Sequence, residues 1–97
     1  YGNGKFVAVG AGGTILTSKD GIKWTTQNSE IRNYLNDITY GNGKFVAVGG
    51  SGIILTSKDG INWTPQNSGT SNNLSGITYG NGKFVAVGTD GTILTSP

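Results

Sequence analysis

The sequence contains no cysteine, no histidine and no methionine, and only 12% of its residues are charged. The absence of cysteine excludes disulfide bridges, thiolate metal sites and a cysteine nucleophile. The absence of histidine removes the commonest zinc ligand and the commonest general base. A membrane-spanning helix needs about 20 apolar residues in a row, and no run in this chain approaches that length. A formal charge of +2 is too small to indicate nucleic-acid binding. We therefore expect no cofactor, no metal, no nucleic-acid partner and no membrane span.

The residues that are present form a repeat. Residues 1–10 recur unchanged at 40–49 and at 79–88, which defines a period of 39 residues. Residues 1–39 and 40–78 agree at 28 of 39 positions, and residues 79–97 form a half repeat. We therefore expect residues 1–97 to be a single repeat domain. Because the first residue is Tyr1, we expect the chain to be an excised, processed or designed piece.

Each repeat contains four short segments of strand composition, bounded by Gly, Asn and Asp. In the first repeat they are residues 5–9, 14–17, 22–26 and 35–40, and in the second they are 44–48, 53–56, 61–64 and 74–79. The Asn-Gly pairs favour type I′ hairpin turns. Four strands in about 40 residues predict an all-β fold, a β-propeller of four-stranded antiparallel blades with residues 35–40 innermost and about 2.5 blades in the chain. A parallel β-helix is the alternative.

A second repeated motif lies between the second and third predicted strands of each repeat. Its residues are Ser18, Asp20, Gly21 and Trp24 in the first copy, and Ser57, Asp59, Gly60 and Trp63 in the second. The motif resembles the Asp-box of BNR-type β-propellers, with one residue fewer between Asp and Gly. Similar repeats occur in photosystem-assembly-factor-like propellers and in bacterial and phage surface proteins. The resemblance implies a propeller fold and favours an extracellular or cell-surface location.

The motif residues have a structural interpretation. A short Ser or Asp side chain can accept hydrogen bonds from turn N–H groups, Gly supplies a positive φ, and the Trp would pack between blades. Asp-boxes also occur in sialidases, but the chain has one Arg (Arg32) and one Glu (Glu30), too few for that chemistry. We expect no catalytic residue, and a fragment of a sialidase-like glycoside hydrolase is the disfavoured alternative.

The differences between the two full repeats cluster in sequence. Nine of the 11 fall in the connection before the innermost strand, at the start of that strand, or at the Gly-rich loop of residues 10–13 and 49–52 and the residue that follows it. In a propeller these segments share one face, which we call the variable face, whereas six lysines lie on the opposite face beside Asp20 and Asp59. The candidate ligand-binding residues are Arg32, Asn33, Tyr34, Asn36, Asp37, Asn72, Asn73 and Ser75.

These patterns predict a non-catalytic propeller module whose main activity is self-assembly into a closed ring, with binding groups presented on the variable face. A few blades in isolation would expose apolar faces and strand edges. We therefore expect the partner to be a second copy of the chain, with a dimer closing a six-bladed ring favoured, or the rest of a longer propeller. A glycan-binding, lectin-like propeller is the alternative function, with a glycan as ligand.

Overall fold

The computed structural model describes all 97 residues, Tyr1–Pro97, as ten short strands. The strands are β1 (Phe6–Val9), β2 (Ile15–Ser18), β3 (Thr25–Gln27), β4 (Leu35–Gly41), β5 (Lys44–Gly49), β6 (Ile54–Ser57), β7 (Thr64–Gln66), β8 (Leu74–Gly80), β9 (Lys83–Gly88) and β10 (Ile93–Ser96). Three single 3₁₀ turns lie at Ala11–Gly13, Gly50–Gly52 and Thr89–Gly91. The prediction of an all-β fold is confirmed.

The strands form three small antiparallel sheets. Sheet 1 has the order β1-β2-β3, sheet 2 the order β4-β5-β6-β7, and sheet 3 the order β8-β9-β10. The pairing register is the same in each, since Phe6 lies opposite Ser18, Phe45 opposite Ser57 and Phe84 opposite Ser96. Sheet 2 thus combines the last predicted strand of the first repeat with the first three of the second, and the order of the strands in the sheet follows their order in the chain.

The Asn-Gly hairpins have the predicted geometry. Asn42 and Gly43 join β4 to β5 with φ values of 48° and 76°, and Asn81 and Gly82 join β8 to β9 with 50° and 77°. Positive φ at both central residues defines the type I′ turn, whose twist matches that of the strands it connects. These turns fix the register of the longest strand pairs.

The third predicted strand of each repeat starts later than expected. Residues 22–26 and 61–64 were predicted, but β3 starts at Thr25 and β7 at Thr64. The residues before them belong to the turn, because the N–H groups of Ile61 and Asn62 bind the Asp59 carboxylate and are not free to pair with β6. The apolar pattern of a strand was present there, but a side-chain acceptor took its backbone donors.

Sheet 2 lies between the other two sheets and is buried on both faces. Phe45 and Ala47 of β5 belong to a cluster with Ile15 of sheet 1, and Val46 and Val48 belong to a second cluster with residues of sheet 3. Since neighbouring residues of a strand point to opposite faces, the apolar run of β5 fills both interfaces. β5 is therefore a strand buried on two sides.

Sheets 1 and 3 each bury one face and expose the other. In sheet 1, Phe6 is 40% exposed and Trp24 is 43% exposed. In sheet 3, Val87 is 43% exposed and Ile93 is 68% exposed. The chain is therefore an open stack of three sheets, with an apolar face at each end of the stack.

Candidate functional site

The repeated Ser-Lys-Asp-Gly motif forms a turn held by its own side chains. In the second copy, the N–H groups of Ile61 and Asn62 donate to Oδ1 of Asp59 at 2.8 and 2.9 Å. Ser57 Oγ donates to the same oxygen at 3.0 Å and accepts from the N–H of Gly60 at 2.8 Å. The carboxylate thus satisfies backbone donors that the hairpin leaves unpaired, which is a structural role.

The electrostatics of both turn carboxylates follow from these bonds. The backbone N–H groups of Asn62 and Ile61 lower the pKa of Asp59 far below its ordinary value. The backbone N–H groups of Ile22 and Lys23 lower the pKa of Asp20 in the same way. Hydrogen bonds to the charged form favour ionisation, so both groups are anionic acceptors rather than proton donors.

The tryptophan of the motif closes the turn and packs between two sheets. Trp63 Nε1 donates to the carbonyl oxygen of Gly60 at 3.0 Å, and Gly60 has a φ of 78° that only glycine adopts readily. The Trp63 ring lies 6.3 Å from the Phe45 ring and is only 8% exposed. Trp24 bonds Gly21 similarly at 3.3 Å but lies at the exposed face of sheet 1.

The neighbouring sheet also binds this turn. Lys5 Nζ donates to the carbonyl oxygen of Asp59 at 2.7 Å, and Asn3 Nδ2 donates to that of Lys58 at 3.3 Å. The Asn-Gly hairpin of sheet 1 and the Ser-Lys-Asp-Gly turn of sheet 2 therefore lie together, and the hairpins and turns of these two types carry all six lysines. One repeat later, the Nζ of Lys44 lies 5.5 Å from the centre of the Phe84 ring.

The variable face brings the predicted ligand-binding residues close to the Gly-rich turns. Asn33 Nδ2 donates to the carbonyl oxygen of Gly50 at 2.8 Å. Asn73 Oδ1 accepts from the N–H of Ser51 at 2.9 Å, and Asn72 Nδ2 donates to Thr92 Oγ1 at 2.9 Å. Asn33 and Asn72 therefore join the connections before β4 and β8 to the 3₁₀ turn, or the residue after it, in the following hairpin, whereas Asn73 joins the second connection to the turn of the preceding hairpin.

The candidates on β4 of sheet 2 bridge to sheet 3. Asn36 Nδ2 donates to the carbonyl oxygen of Leu74 at 2.9 Å. Asp37 Oδ2 accepts from the N–H of Ile77 at 2.9 Å, while its Oδ1 accepts from the N–H of Ile38. These two side chains hold the edge strands β4 and β8 together, so their polar groups already have partners.

Five of the predicted site residues are exposed, and the amides of two of them, Asn36 and Asn73, already have partners. Tyr34 is 66% exposed and Arg32 is exposed beside it in sequence. Ser75 is exposed and makes one long hydrogen bond, from its hydroxyl to the carbonyl oxygen of Val87 at 3.4 Å. Of the candidates on the variable face, Tyr34 and Arg32 have the side chains most available to a ligand.

No group of three or more acidic side chains that could hold a metal ion comes together in the chain. The helical turns are too short to cross a membrane. The apolar faces at the two ends of the stack agree with the expectation for a few blades in isolation, whereas the groove between sheets 2 and 3 was missed from the sequence. The 39-residue offset relates the exposed Phe6, Trp24 and Val87 to the identical but buried Phe45, Trp63 and Val48.

Comparison with family models, with curated proteins and with solved structures gives no significant match to this chain.

Proposed function

We propose that the chain is a non-catalytic β-propeller module that assembles with further copies of itself into a closed ring and presents the variable face for binding. One observation carries the proposal. The exposed face of sheet 3 bears Val85, Val87 and Ile93, at the strand positions that Val7, Val9 and Ile15 have in sheet 1. The latter three pack against sheet 2.

The exposed face of sheet 1 has the complementary composition. It bears Phe6, Ala8, Leu16 and Trp24 where sheet 2 presents Phe45, Ala47, Leu55 and Trp63 to sheet 1. Sheet 1 of a second copy can therefore pack on sheet 3 with the same side chains as those that join sheets 1 and 2 within one copy. Such a head-to-tail contact closes into a ring when the rotation per sheet divides the circle.

The same contact would serve a second copy or the neighbouring blades of a longer propeller. We propose the second copy, with a six-bladed dimer as the preferred ring, because the chain carries both halves of the contact. The non-catalytic assignment is supported by the use of the Asp20 and Asp59 carboxylates inside their own turns. It is also supported by the presence of a single Arg and a single Glu in the sequence.

The mass of the chain in solution tests self-assembly. Sedimentation velocity of the unmodified chain should give a mass of two or more chains of 10.0 kDa each. Val87→Glu places a charge on the proposed contact and should shift the mass to that of one chain. Ile61→Glu is the matched control, because Ile61 is 45% exposed on the turn before β7 of the middle sheet, outside the contact. A folded single chain at every concentration would rule out self-assembly.

A second candidate function is glycan binding on the variable face, which the exposure of Tyr34 favours. An exposed aromatic ring beside Arg32 offers a stacking surface together with hydrogen-bond donors. Tyr34→Asn introduces the residue that the second repeat has at Asn73 and removes the ring. A glycan array should lose its signals with this variant, and unchanged signals, or none with the unmodified chain, would exclude this candidate.

A further inference from the structure

A groove of about 450 Å³ lies between sheets 2 and 3. Val46 and Thr56 line it from sheet 2, and Phe84 and Leu94 line it from sheet 3. It opens beside β10, which pairs with β9 on one side only. The outer edge of β10 therefore presents backbone N–H and C=O groups that can pair with another strand.

The equivalent space between sheets 1 and 2 is filled by the Asp-box turn and by Trp63. A side chain at Gly60 would touch Val7, Thr17 and Phe45, so the turn lies on these three residues. Moving each of the three by one repeat gives Val46, Thr56 and Phe84, which line the groove. The groove therefore has the shape and composition of a surface that takes a turn followed by a Trp-bearing strand.

The polar groups at the groove also match such a segment. In the filled space, Lys5 Nζ donates to the main-chain oxygen of Asp59. Lys44 is the equivalent residue one repeat later, and its ammonium group lies over the Phe84 ring at the mouth of the groove. A segment containing the Asp-Gly turn would bring both a carbonyl acceptor and a carboxylate towards this cation, so the charges are complementary.

The free edge of β10 specifies which strand fits it. β10 has the sequence Ile-Leu-Thr-Ser, which is identical to that of β2. In sheet 1, β2 pairs with β3 so that Thr17 lies opposite Thr25 and Ile15 lies opposite Gln27. The edge of β10 can therefore pair with the sequence of β3 in the same register, with Thr95 opposite Thr25.

We propose that the groove and the edge of β10 bind residues 20–27 of a second copy of the chain, so that Trp24 of that copy packs on Phe84. This inference rests on the self-association proposed above and names the segment that is exchanged. β3 is suited to exchange because only three residue pairs join it to β2 and because Trp24 is 43% exposed there. Moving it to β10 keeps an identical strand partner and buries the indole.

Disulfide trapping tests the exchange, since the chain has no cysteine of its own. Directly opposed residues of an antiparallel pair have Cα atoms about 4.5–5.5 Å apart, which a disulfide can bridge. Thr25→Cys with Thr95→Cys should oxidise to covalent dimers or larger species on a non-reducing gel. Thr25→Cys with Thr89→Cys is the control for random oxidation, because Thr89 is exposed but lies outside β10.

A locked variant tests the groove separately. Thr17→Cys with Thr25→Cys ties β3 to its own β2 and prevents exchange. A labelled peptide with the sequence of residues 19–28 should bind this oxidised variant, as a rise in fluorescence anisotropy. The same peptide with Trp24→Ala should bind about 30-fold more weakly or worse, the loss expected for a central Trp anchor.

The outcomes separate the two proposals. Covalent dimers together with Trp-dependent peptide binding support the exchange. Peptide binding without dimers above the random-oxidation control overturns the second copy as the occupant. Absence of peptide binding to the locked variant overturns the groove assignment. An oligomer by sedimentation without the disulfide leaves self-assembly intact through the flat apolar faces and rejects only the exchange.

Discussion

Asp37 of β4 accepts a hydrogen bond from the backbone N–H of Ile77 of β8 at 2.9 Å. This bond joins the edge strands β4 and β8 of sheets 2 and 3, and the second oxygen of the same carboxylate accepts from the N–H of Ile38. The second repeat has Gly76 at the equivalent position, which provides no side-chain acceptor. At least one difference between the repeats therefore has a structural consequence at a sheet interface.

Replacing this carboxylate should weaken the contact between sheets 2 and 3. Asp37→Ala leaves the N–H of Ile77 without its acceptor, at an expected cost of about 1–3 kcal/mol in the free energy of unfolding. Asp37→Asn keeps an acceptor oxygen and should cost less. Urea denaturation of the three proteins measures the difference. Equal stability of Asp37→Ala and the unmodified chain would contradict a structural role for this bond.

Gly41 has no room for a side chain because an aromatic ring lies against its backbone. A Cβ at Gly41 would overlap the ring of Tyr79, whereas a Cβ at Gly80 would meet no atom within 4 Å. We expect Gly41→Ala to lower the free energy of unfolding by about 1–3 kcal/mol through overpacking. Gly80→Ala is the matched control one repeat away and should be close to neutral. Thermal or urea unfolding of the two variants checks the contrast, which fails if both behave alike.

The two motif tryptophans should differ in their importance for the isolated chain. Trp63 is 8% exposed and packs on Phe45, so Trp63→Ala should cost about 3–5 kcal/mol in the free energy of unfolding. Trp24 is 43% exposed, and Trp24→Ala should cost clearly less in a single chain. If Trp24 is buried on self-association, its removal should instead lower the oligomer mass in sedimentation. Circular dichroism reports the first effect independently of the second.

Much of the fold could be predicted because local and repeat signals agree. The apolar run of β5 and the Asn42-Gly43 turn each specify a local structure, and the repeat places both three times along the chain. The start of β7 could not be predicted, since the decisive contact is between the Asp59 side chain and backbone N–H groups that an apolar pattern does not reveal.

The candidate site was less predictable than the fold. Asn33 and Asn73 are of a residue type common at binding sites, but their amides are used within the fold. Asn33 bonds a turn 17 residues later in the chain, and Asn73 bonds a turn 22 residues earlier. Such pairings depend on how one sheet packs against the next, and no spacing in a single sequence specifies them. The exposure of Tyr34 is likewise a property of packing rather than of residue type.

Glu30 has a backbone conformation that favours glycine. Its φ is 61°, and the equivalent Gly69 has a φ of 78°. The N–H of each donates to the side chain two residues earlier, Asn28 or Asn67, so the turn is the same in both repeats. Glu30→Gly should therefore raise the free energy of unfolding by about 1 kcal/mol, because a non-glycine residue is strained at positive φ. Gly69→Glu should lower it, and an opposite ordering in urea denaturation would refute the strain argument.

Acid should destabilise the chain through its two turn carboxylates. Hydrogen bonds lower the pKa of Asp20 and Asp59 in the folded state, whereas the pKa of an Asp in the unfolded chain is about 3.9. On acidification the unfolded chain therefore takes up these protons first. The contribution of the carboxylates to stability is full above about pH 4 and is lost as the pH falls towards their folded values.

Thermal melts between neutral pH and strong acid check this dependence. The unmodified chain should lose stability below about pH 4, and the combined variant Asp20→Asn, Asp59→Asn should show a shallower loss from a lower starting stability. Asp90→Asn removes an exposed acid from the 3₁₀ turn Thr89–Gly91 and is the matched control. It should keep the steep acid profile of the unmodified chain, since both Asp-box turns are intact. A double variant with that same steep profile would show that the turn carboxylates are not the groups responsible.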